Sequence, residues 1–166
     1  DYLRPEMRQV DIIIDATANY RVNHLLADMS RVEGKAYVWL STTPGASGGV
    51  VGRVTPTATQ GCWHCFQHAM AAGEIRYPAD NGALDVQPRG CTHPTFVAAG
   101  IDSDEVSILA SRLAVATLLA QDGGVGQESD FEWDVAVGDF FSADRRIESR
   151  WTTYPLHKHP DCSACA

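Results

Sequence analysis

Two Cys-x-x-Cys pairs are the residues of this sequence best suited to bind a metal ion. One pair is Cys62 and Cys65, and the other is Cys162 and Cys165. A Cys-x-x-Cys turn presents two sulfurs from one tight loop, and Zn²⁺ binds four thiolates tetrahedrally. The spacing therefore predicts a structural four-cysteine zinc site that fastens the tail of the sequence to its middle.

Two other interpretations of these cysteines remain open. Cys62 and Cys65 precede a possible helix over residues 66–72, so they could form a thioredoxin-like redox dithiol whose thiolate is stabilised by the helix start. The tail pair would then have no evident purpose. Alternatively, a histidine near the pairs in sequence could replace one thiolate as a zinc ligand, and the candidates are His64, His68, His157 and His159.

The fifth cysteine, Cys91, has no Cys-x-x-Cys partner. It lies in residues 77–94, whose prolines and glycines predict a long loop without regular secondary structure. Long loops inside compact domains are usually functional or mobile. An exposed thiol flanked by Arg89 and His93 can have a lowered pKa and act as a nucleophile, although an incidental thiol is the alternative.

The first half of the sequence predicts a strand, a helix and a second strand. Residues 10–15 form a β-branched run typical of a strand buried on both faces of a parallel sheet. Residues 17–19 offer turn and cap chemistry, and apolar residues at helical spacing follow until Gly34. Residues 35–40 read as the second strand, and such units have parallel strands. The predicted class is therefore α/β.

Two further elements are indicated between this unit and the second cysteine pair. Residues 45–49 are rich in glycine, but they lack a lysine and precede a strand over residues 50–55. They predict a tight turn into the sheet rather than a phosphate-binding loop. Residues 101–119 predict the strongest helix, with Ser103 as its N-cap and one apolar face.

The last elements are a hairpin and an irregular tail. Residues 131–137 and 147–151 largely alternate apolar with polar side chains, which predicts a hairpin at a sheet edge with one solvated face. Residues 157–165 have no periodicity, so something other than core burial must order them. A bound zinc ion would do so.

Composition bounds the possible functions. The 166 residues are 45% hydrophobic and 20% charged, as expected for one globular domain. The formal net charge of -8 comes without a basic stripe, which disfavours nucleic-acid binding. Apolar runs are too short to span a membrane. No secretion signal is visible, so a reducing, cytoplasmic location is expected.

The order of these features resembles a known enzyme family. A strand ending Asp-Ala-Thr-Ala-Asn at residues 15–19 is followed by a helix and by Gly-Lys at residues 34–35. Gly-Cys-x-x-Cys at Cys62, Gly-Cys-Thr around Cys91, a long helix and the terminal cysteine pair come next. From residue 10 to residue 165, this sequence is similar to the ThiF/MoeB/ubiquitin-activating adenylyltransferases.

The resemblance implies a fold and an activity. It implies a Rossmann-like partial domain whose sheet starts parallel and continues antiparallel, with a structural zinc site. Residues 1–166 would form the carboxy-terminal half of an adenylating domain, without the amino-terminal nucleotide-binding half. Such enzymes use ATP and Mg²⁺ to adenylate the carboxy terminus of a ubiquitin-like or sulfur-carrier protein, and they pair as homodimers. They often transfer the acyl group to a cysteine, here Cys91, as a thioester or, in the sulfur-carrier branch, as an acyl disulfide.

One position departs from the family pattern. The family reads Asp-x-Thr-Asp-Asn, and its second aspartate helps to hold magnesium and nucleotide. Here that position is Ala18, beside Asn19, and these two residues map to the cofactor site. A methyl group cannot replace a carboxylate as a Mg²⁺ ligand. Asp15 matches the pattern, but it could equally cap the turn through backbone N–H groups.

Three functions are compatible with the sequence. The first is part of an adenylating enzyme that is inactive without its other half. The second is a zinc-stabilised protein-interaction module that has lost its chemistry, which the alanine at position 18 would explain. The third is a dithiol oxidoreductase, which predicts no zinc and a reducible disulfide between Cys62 and Cys65.

Overall fold

A five-stranded sheet forms the centre of the fold, with strand order β1-β2-β3-β6-β7. The computed structural model describes residues 3–80, 82, 85–86, 95–96, 98–121, 131–142 and 145–165. Its helices are α1 Arg4–Arg8, α2 Tyr20–Val32, α3 Trp63–Ala71 and α4 Gly100–Gln121. Its strands are β1 Ile12–Asp15, β2 Ala36–Thr42, β3 Gly48–Val54, β4 Asp85–Val86, β5 Thr95–Phe96, β6 Val135–Ser142 and β7 Arg145–Tyr154.

The pairing of neighbouring strands changes once across the sheet, from parallel to antiparallel. β1 and β2 are parallel, with Ile13 opposite Tyr37. The pairs β2 with β3, β3 with β6 and β6 with β7 are all antiparallel. The predicted α/β class, with a parallel start followed by antiparallel strands, is confirmed.

The sheet has an apolar cluster on each face. Tyr37, Trp39 and Val50 belong to the cluster that also contains residues of α2 and α3. Val51 belongs to the other cluster, with Phe140 and residues of α4. Adjacent residues such as Val50 and Val51 fall in different clusters because side chains alternate across a strand. The helices therefore cover both faces, with α2 and α3 on one and α4 on the other.

The α2 helix follows the sequence prediction closely. The Asn19 side chain accepts hydrogen bonds from the backbone N–H groups of Arg21 and Val22, which makes it the N-cap. The chain leaves the helix through Gly34 at φ +64°, a left-handed conformation that glycine adopts without steric cost. Helix α3 begins three residues earlier than predicted, immediately after Cys62.

The α4 helix confirms the predicted apolar face and corrects the predicted start. Val106 and Leu113 are fully buried against the sheet. The helix begins at Gly100, so Ser103 lies inside it and the N-cap prediction is wrong. Among the described residues, none of the helices combines the length and hydrophobicity that crossing a bilayer requires.

Two strands differ from their predicted environment. β1 was expected to be buried on both faces, yet the side chain of Ile14 is 53% exposed. The cause is position, because β1 is an edge strand of the described sheet and has a neighbour on one side only. Conversely, Val135, Ala136 and Val137 of β6 are all buried, because β6 lies between β3 and β7 and has no solvated face. The predicted hairpin is confirmed, with β7 at the edge, but its first strand begins at Val135 rather than at residue 131.

Residues 77–94, which were predicted to form a loop without regular structure, contain one short strand. β4 and β5 pair antiparallel, with Asp85 opposite Phe96 and Val86 opposite Thr95. The expectation that residues 77–94 hold no regular element is therefore wrong for two residues. Single pairs of such short strands add little stability of their own.

Candidate functional site

The structure brings the four cysteines of the two Cys-x-x-Cys pairs together. The sulfur of Cys62 lies 3.8 Å from that of Cys65 and 3.6 Å from that of Cys162, and the sulfurs of Cys65 and Cys165 are 3.6 Å apart. A zinc–sulfur bond of about 2.3 Å in a tetrahedron gives sulfur–sulfur edges of about 3.8 Å. The observed spacing therefore fits the donor set of a closed four-thiolate zinc site, and all four donor atoms lie within 4.8 Å of one another.

Burial makes two of the four thiols, Cys62 and Cys165, harder to ionise. Cys62, Cys65 and Cys162 are buried. Burial raises the pKa of Cys62 far above its ordinary value and raises the pKa of Cys165 to about 11. Burial would also raise the pKa of Cys65, but N–H groups and neighbouring thiols that hydrogen bond to its sulfur lower it overall. A divalent ion would offset the cost of burying several thiolates together.

Local structure positions each pair. Cys62 is the N-cap residue of α3, and Cys65 lies in the first turn of that helix. The tail pair lies in tight turns, in which the Cys165 N–H donates to the carbonyl of Cys162. The Gly61 N–H donates to the carbonyl of Leu156, whose side chain is buried. Core burial at Leu156 thus helps to order the tail, in addition to any metal.

The nearby histidines do not take the place of a thiolate in this cluster. The His159 N–H donates to the sulfur of Cys65 at 3.4 Å, so its backbone rather than its ring contacts the cluster. The rings of His68 and His159 stack with centroids 4.7 Å apart. His64 hydrogen bonds to Asp28 at 2.8 Å and belongs to a different group of potential metal ligands from the four cysteines.

A second polar cluster surrounds Asp15 at the carboxyl end of β1. One carboxylate oxygen accepts from the N–H and the hydroxyl of Thr17, at 2.9 and 2.7 Å. The other accepts from the amide of Asn23 at 2.7 Å and from the hydroxyl of Tyr37 at 2.9 Å. Burial alone would raise the pKa of Asp15, but these hydrogen bonds lower it overall. Asp15 thus caps its turn, as one interpretation of the sequence predicted, and also ties β1 to α2 and β2.

Ala18 and Asn19, the residues predicted to contact a cofactor, come shortly after Asp15 in the sequence. Ala18 is exposed and has φ +49°, a left-handed conformation that aspartate and asparagine adopt more readily than alanine. Asn19 is exposed, and its side-chain oxygen is engaged in capping α2. Both lie at the carboxyl end of a parallel strand, where open α/β sheets bind ligands.

The segment that leads to Cys91 is fixed to the same edge of the sheet. The Ala79 carbonyl accepts from the hydroxyls of Thr43 and Ser47, at 2.8 and 2.7 Å. The Ala79 N–H donates to Asp139 at 2.9 Å. Burial would raise the pKa of Asp139, but Arg76 and this N–H lower it overall. The sequence prediction for Cys91, with Arg89 and His93, lies outside the described residues.

Two features of the site were not anticipated from the sequence. The hydrogen bond from Tyr37 to Asp15 joins residues 22 positions apart, and only the register of β1 against β2 places them together. A second group of metal-binding side chains, His24, Asp28 and His64, lies within mutual reach on α2 and α3. The spacing of His24 and Asp28, four residues apart in a helix, was the available signal.

Comparison with known sequences finds two relatives and no matching family model. The uncharacterized protein y4oA of Sinorhizobium fredii is 34% identical over 165 residues, which are 99% of this chain and 27% of y4oA. The uncharacterized protein y4qC of the same organism is 33% identical over 174 residues, covering 98% of this chain and 28% of y4qC. The chain therefore spans little more than a quarter of the length of the curated relatives it matches.

Solved structures with the same fold are similar over nearly the whole chain. Escherichia coli MccB with MccA superposes with a TM-score of 0.53 at 13% identity, over 98% of this chain and 42% of MccB. The microcin C7 biosynthetic enzyme MccB with N-formylated MccA gives 0.54 at 12% identity, over 98% and 44%. A heterocyclase with substrate and cofactor gives 0.55 at 13%, over 99% and 23%. E. coli MccB has also been solved with ATP, with a TM-score of 0.51 at 13% identity over 98% and 42%. The chain thus shares its fold with part of these larger proteins.

Proposed function

We propose that this chain is the carboxy-terminal half of an ATP-dependent adenylating domain that activates the carboxy terminus of a peptide or small carrier protein. A ubiquitin-like or sulfur-carrier protein is the carrier that the family resemblance suggests. ATP and Mg²⁺ would be bound jointly with an amino-terminal half. The four cysteines, Cys62, Cys65, Cys162 and Cys165, would hold a structural zinc ion.

The observation that carries this proposal is the position of the loop over residues 15–19. Residues 16–19 of this loop are exposed and follow the carboxyl end of the parallel strand β1. They lie at the edge to which the segment leading to Cys91 is fixed through Ala79. Ligands of open α/β sheets bind at such an edge. The fold neighbour MccB has been solved with ATP, which supports a nucleotide at this edge in the present chain.

The proposed reaction has two steps. A carboxylate oxygen of the carrier attacks the α-phosphorus of ATP, and pyrophosphate leaves. The thiolate of Cys91 then attacks the acyl carbon and AMP leaves, which forms a thioester. The second step requires an accessible thiolate, and Arg89 and His93 flank Cys91 in sequence.

ATP–pyrophosphate exchange by the full-length protein tests the proposal. Exchange is expected only when a carrier with a free carboxy terminus is present. Replacing Cys91→Ser should preserve exchange and abolish a thiol-sensitive carrier adduct on a denaturing gel. A folded, zinc-loaded protein that catalyses no exchange with any carrier would overturn the proposal.

Ala18 offers a sharper test of the nucleotide site. Ala18→Asp restores the family carboxylate at a backbone conformation that aspartate tolerates. It should raise exchange at limiting Mg²⁺ concentration. Ala18→Asn is the matched control, because it has the same shape and backbone preference without the charge. Equal exchange by both variants would remove position 18 from the magnesium site.

A catalytically inactive, zinc-stabilised interaction module is the second candidate. It is favoured by one observation, namely that the Asp15 carboxylate is already engaged by Thr17, Asn23 and Tyr37 while position 18 supplies only a methyl group. This alternative predicts carrier binding without nucleotide dependence, measurable by calorimetry with and without MgATP. Pairing as a homodimer remains part of the proposal and is tested by light scattering.

A further inference from the structure

Three side chains on two helices form a compact group beside the cysteine cluster. His24 and Asp28 are one helical turn apart on α2, and His64 lies in the first turn of α3. The Nε2 atom of His64 is 2.8 Å from one Asp28 oxygen, and the Nδ1 atom of His24 is 3.5 Å from the other. One donor atom of each residue lies within 4.8 Å of the others. We call these three residues the His-Asp-His group.

Two imidazoles and one carboxylate are a donor set for a late first-row divalent ion such as Zn²⁺. Ligand atoms about 2.0–2.1 Å from a tetrahedral ion are about 3.3–3.4 Å apart. The separations of 2.8 Å from His64 and 3.5 Å from His24, which run to different oxygens of Asp28, lie on either side of that value. One donor atom of each residue lies within 4.8 Å of the others, so small side-chain rotations would close the set around one ion. Three protein ligands leave a fourth position for water or an external ligand.

Neighbouring aromatic rings hold the two imidazoles in place. The rings of His24 and His64 meet edge to face with centroids 4.5 Å apart. Trp63, which is buried, contacts both, with its ring centroid 5.9 Å from that of His24 and 5.4 Å from that of His64. Side chains that are positioned before binding lose less conformational entropy when a ligand arrives.

Exposure distinguishes this group from the cysteine cluster. The side chains of His24 and Asp28 are 48% and 39% exposed, and that of His64 is 18% exposed. An ion held here would meet solvent and could exchange, whereas the four-cysteine site is buried. His64 lies between Cys62 and Cys65 in sequence, so an ion here would also brace the turn that supplies two of the four thiolates.

We propose that His24, Asp28 and His64 form a second, exchangeable site for a divalent transition-metal ion, which joins α2 to α3 next to the four-cysteine cluster. This site is separate from the proposed adenylation chemistry. It also differs from the earlier hypothesis that a histidine replaces a thiolate, because it binds its own ion.

Metal stoichiometry of the full-length protein tests the proposal. The protein is treated briefly with a mild chelator, titrated with Zn²⁺, and assayed for bound zinc. The wild type should take up one exchangeable equivalent that His64→Asn and Asp28→Asn lose, or bind at least about tenfold more weakly. His68→Asn is the matched control, because this α3 histidine stacks on His159 and belongs to no part of the group.

Cobalt spectroscopy provides a second readout. Co²⁺ added to the chelator-treated protein should bind without the intense thiolate-to-metal charge-transfer absorption that marks cysteine ligation. Retention of the tightly held zinc and an unchanged circular dichroism spectrum would show that each variant is folded. Asp28→Asn also changes a residue that is far in sequence from all four cysteines. Unchanged uptake in both variants, thiolate absorption from the exchangeable ion, or no exchangeable ion in the wild type would each overturn the proposal.

Discussion

The cysteine cluster and the Asp15 cluster both contain buried groups that can carry a negative charge, but the two clusters have different hydrogen-bond partners. The Asp15 carboxylate receives four hydrogen bonds from Thr17, Asn23 and Tyr37. Three pairs of the four sulfurs lie 3.6–3.8 Å apart, and the His159 N–H donates a hydrogen bond to one sulfur, that of Cys65. A carboxylate saturated by donors stabilises the fold by itself, whereas buried thiolates need a cation. The number of hydrogen-bond donors thus distinguishes the Asp15 network from a cysteine cluster that could hold a metal ion.

Removal of a buried thiolate should have the largest effect. Cys65→Ser is expected to abolish stoichiometric zinc binding and to lower the free energy of unfolding by about 3–5 kcal/mol, because structural zinc contributes directly to folding. Metal analysis and urea denaturation measure the two effects. Cys91→Ser is the control, since that cysteine belongs to neither pair. Full zinc content in the Cys65→Ser variant would contradict the assignment of the cluster.

Removal of the Asp15 carboxylate should have a smaller effect that does not depend on metal. Asp15→Ala leaves the buried hydroxyl of Tyr37 and the amide of Asn23 without their main acceptor, which should lower the free energy of unfolding by about 2–3 kcal/mol. Zinc content should be unchanged. The control is Asp11→Ala, an exposed neighbour for which about 0.5 kcal/mol or less is expected.

Acid should weaken the Asp15 cluster in a defined direction. Hydrogen bonding keeps the pKa of Asp15 in the folded state below its ordinary value of about 3.9, despite burial. Its contribution to stability is therefore complete above that value and is lost as the pH falls through the folded-state pKa. Urea midpoints of the wild type and Asp15→Asn between neutral and acidic pH should converge on acidification. Any effect of zinc release in acid is common to both proteins, so it cancels in the difference between their urea midpoints. A difference that stays constant with pH would contradict the lowered pKa of Asp15.

Loss of the α2 cap should have the smallest effect. Asn19→Ala removes the acceptor for the N–H groups of Arg21 and Val22 and should cost about 1 kcal/mol. Asn19→Asp should retain most of the stability, since aspartate caps equally well. Thermal unfolding measures both. A greater loss than that of Asp15→Ala would mean that Asn19 does more than cap the helix.

Local chemistry was predictable from the sequence, and long-range placement was only partly so. The Cys-x-x-Cys spacing predicted the four-cysteine cluster because the two pairs are complete half-sites in themselves. The helix cap at Asn19 was predictable for the same local reason. The Asp15–Tyr37 bond depends on strand register, and the pairing of His64 with Asp28 depends on how α3 packs on α2. Neither relation has a signal in residue spacing.

Environment was harder to predict than secondary structure. Residues 10–15 and 131–137 have strand composition, but composition does not say which strand will be at an edge. Ile14 is half exposed because β1 has one neighbour, and Val135 is buried because β6 has two. Ser103 is not the N-cap because the helix begins three residues before it, at Gly100. The order of strands in the sheet decides the burial of the strand residues.

The two cysteine pairs are synthesised at different times, because they are far apart in the sequence. Cys62 and Cys162 are 100 residues apart, as are Cys65 and Cys165. At about 5–20 residues per second, translation leaves the first pair without its partners for about 5–20 s. During that interval the ribosome-bound chain offers only two of the four thiols, those of Cys62 and Cys65 at the start of α3. Binding of one ion by all four thiolates can therefore begin only after residue 165 has been made.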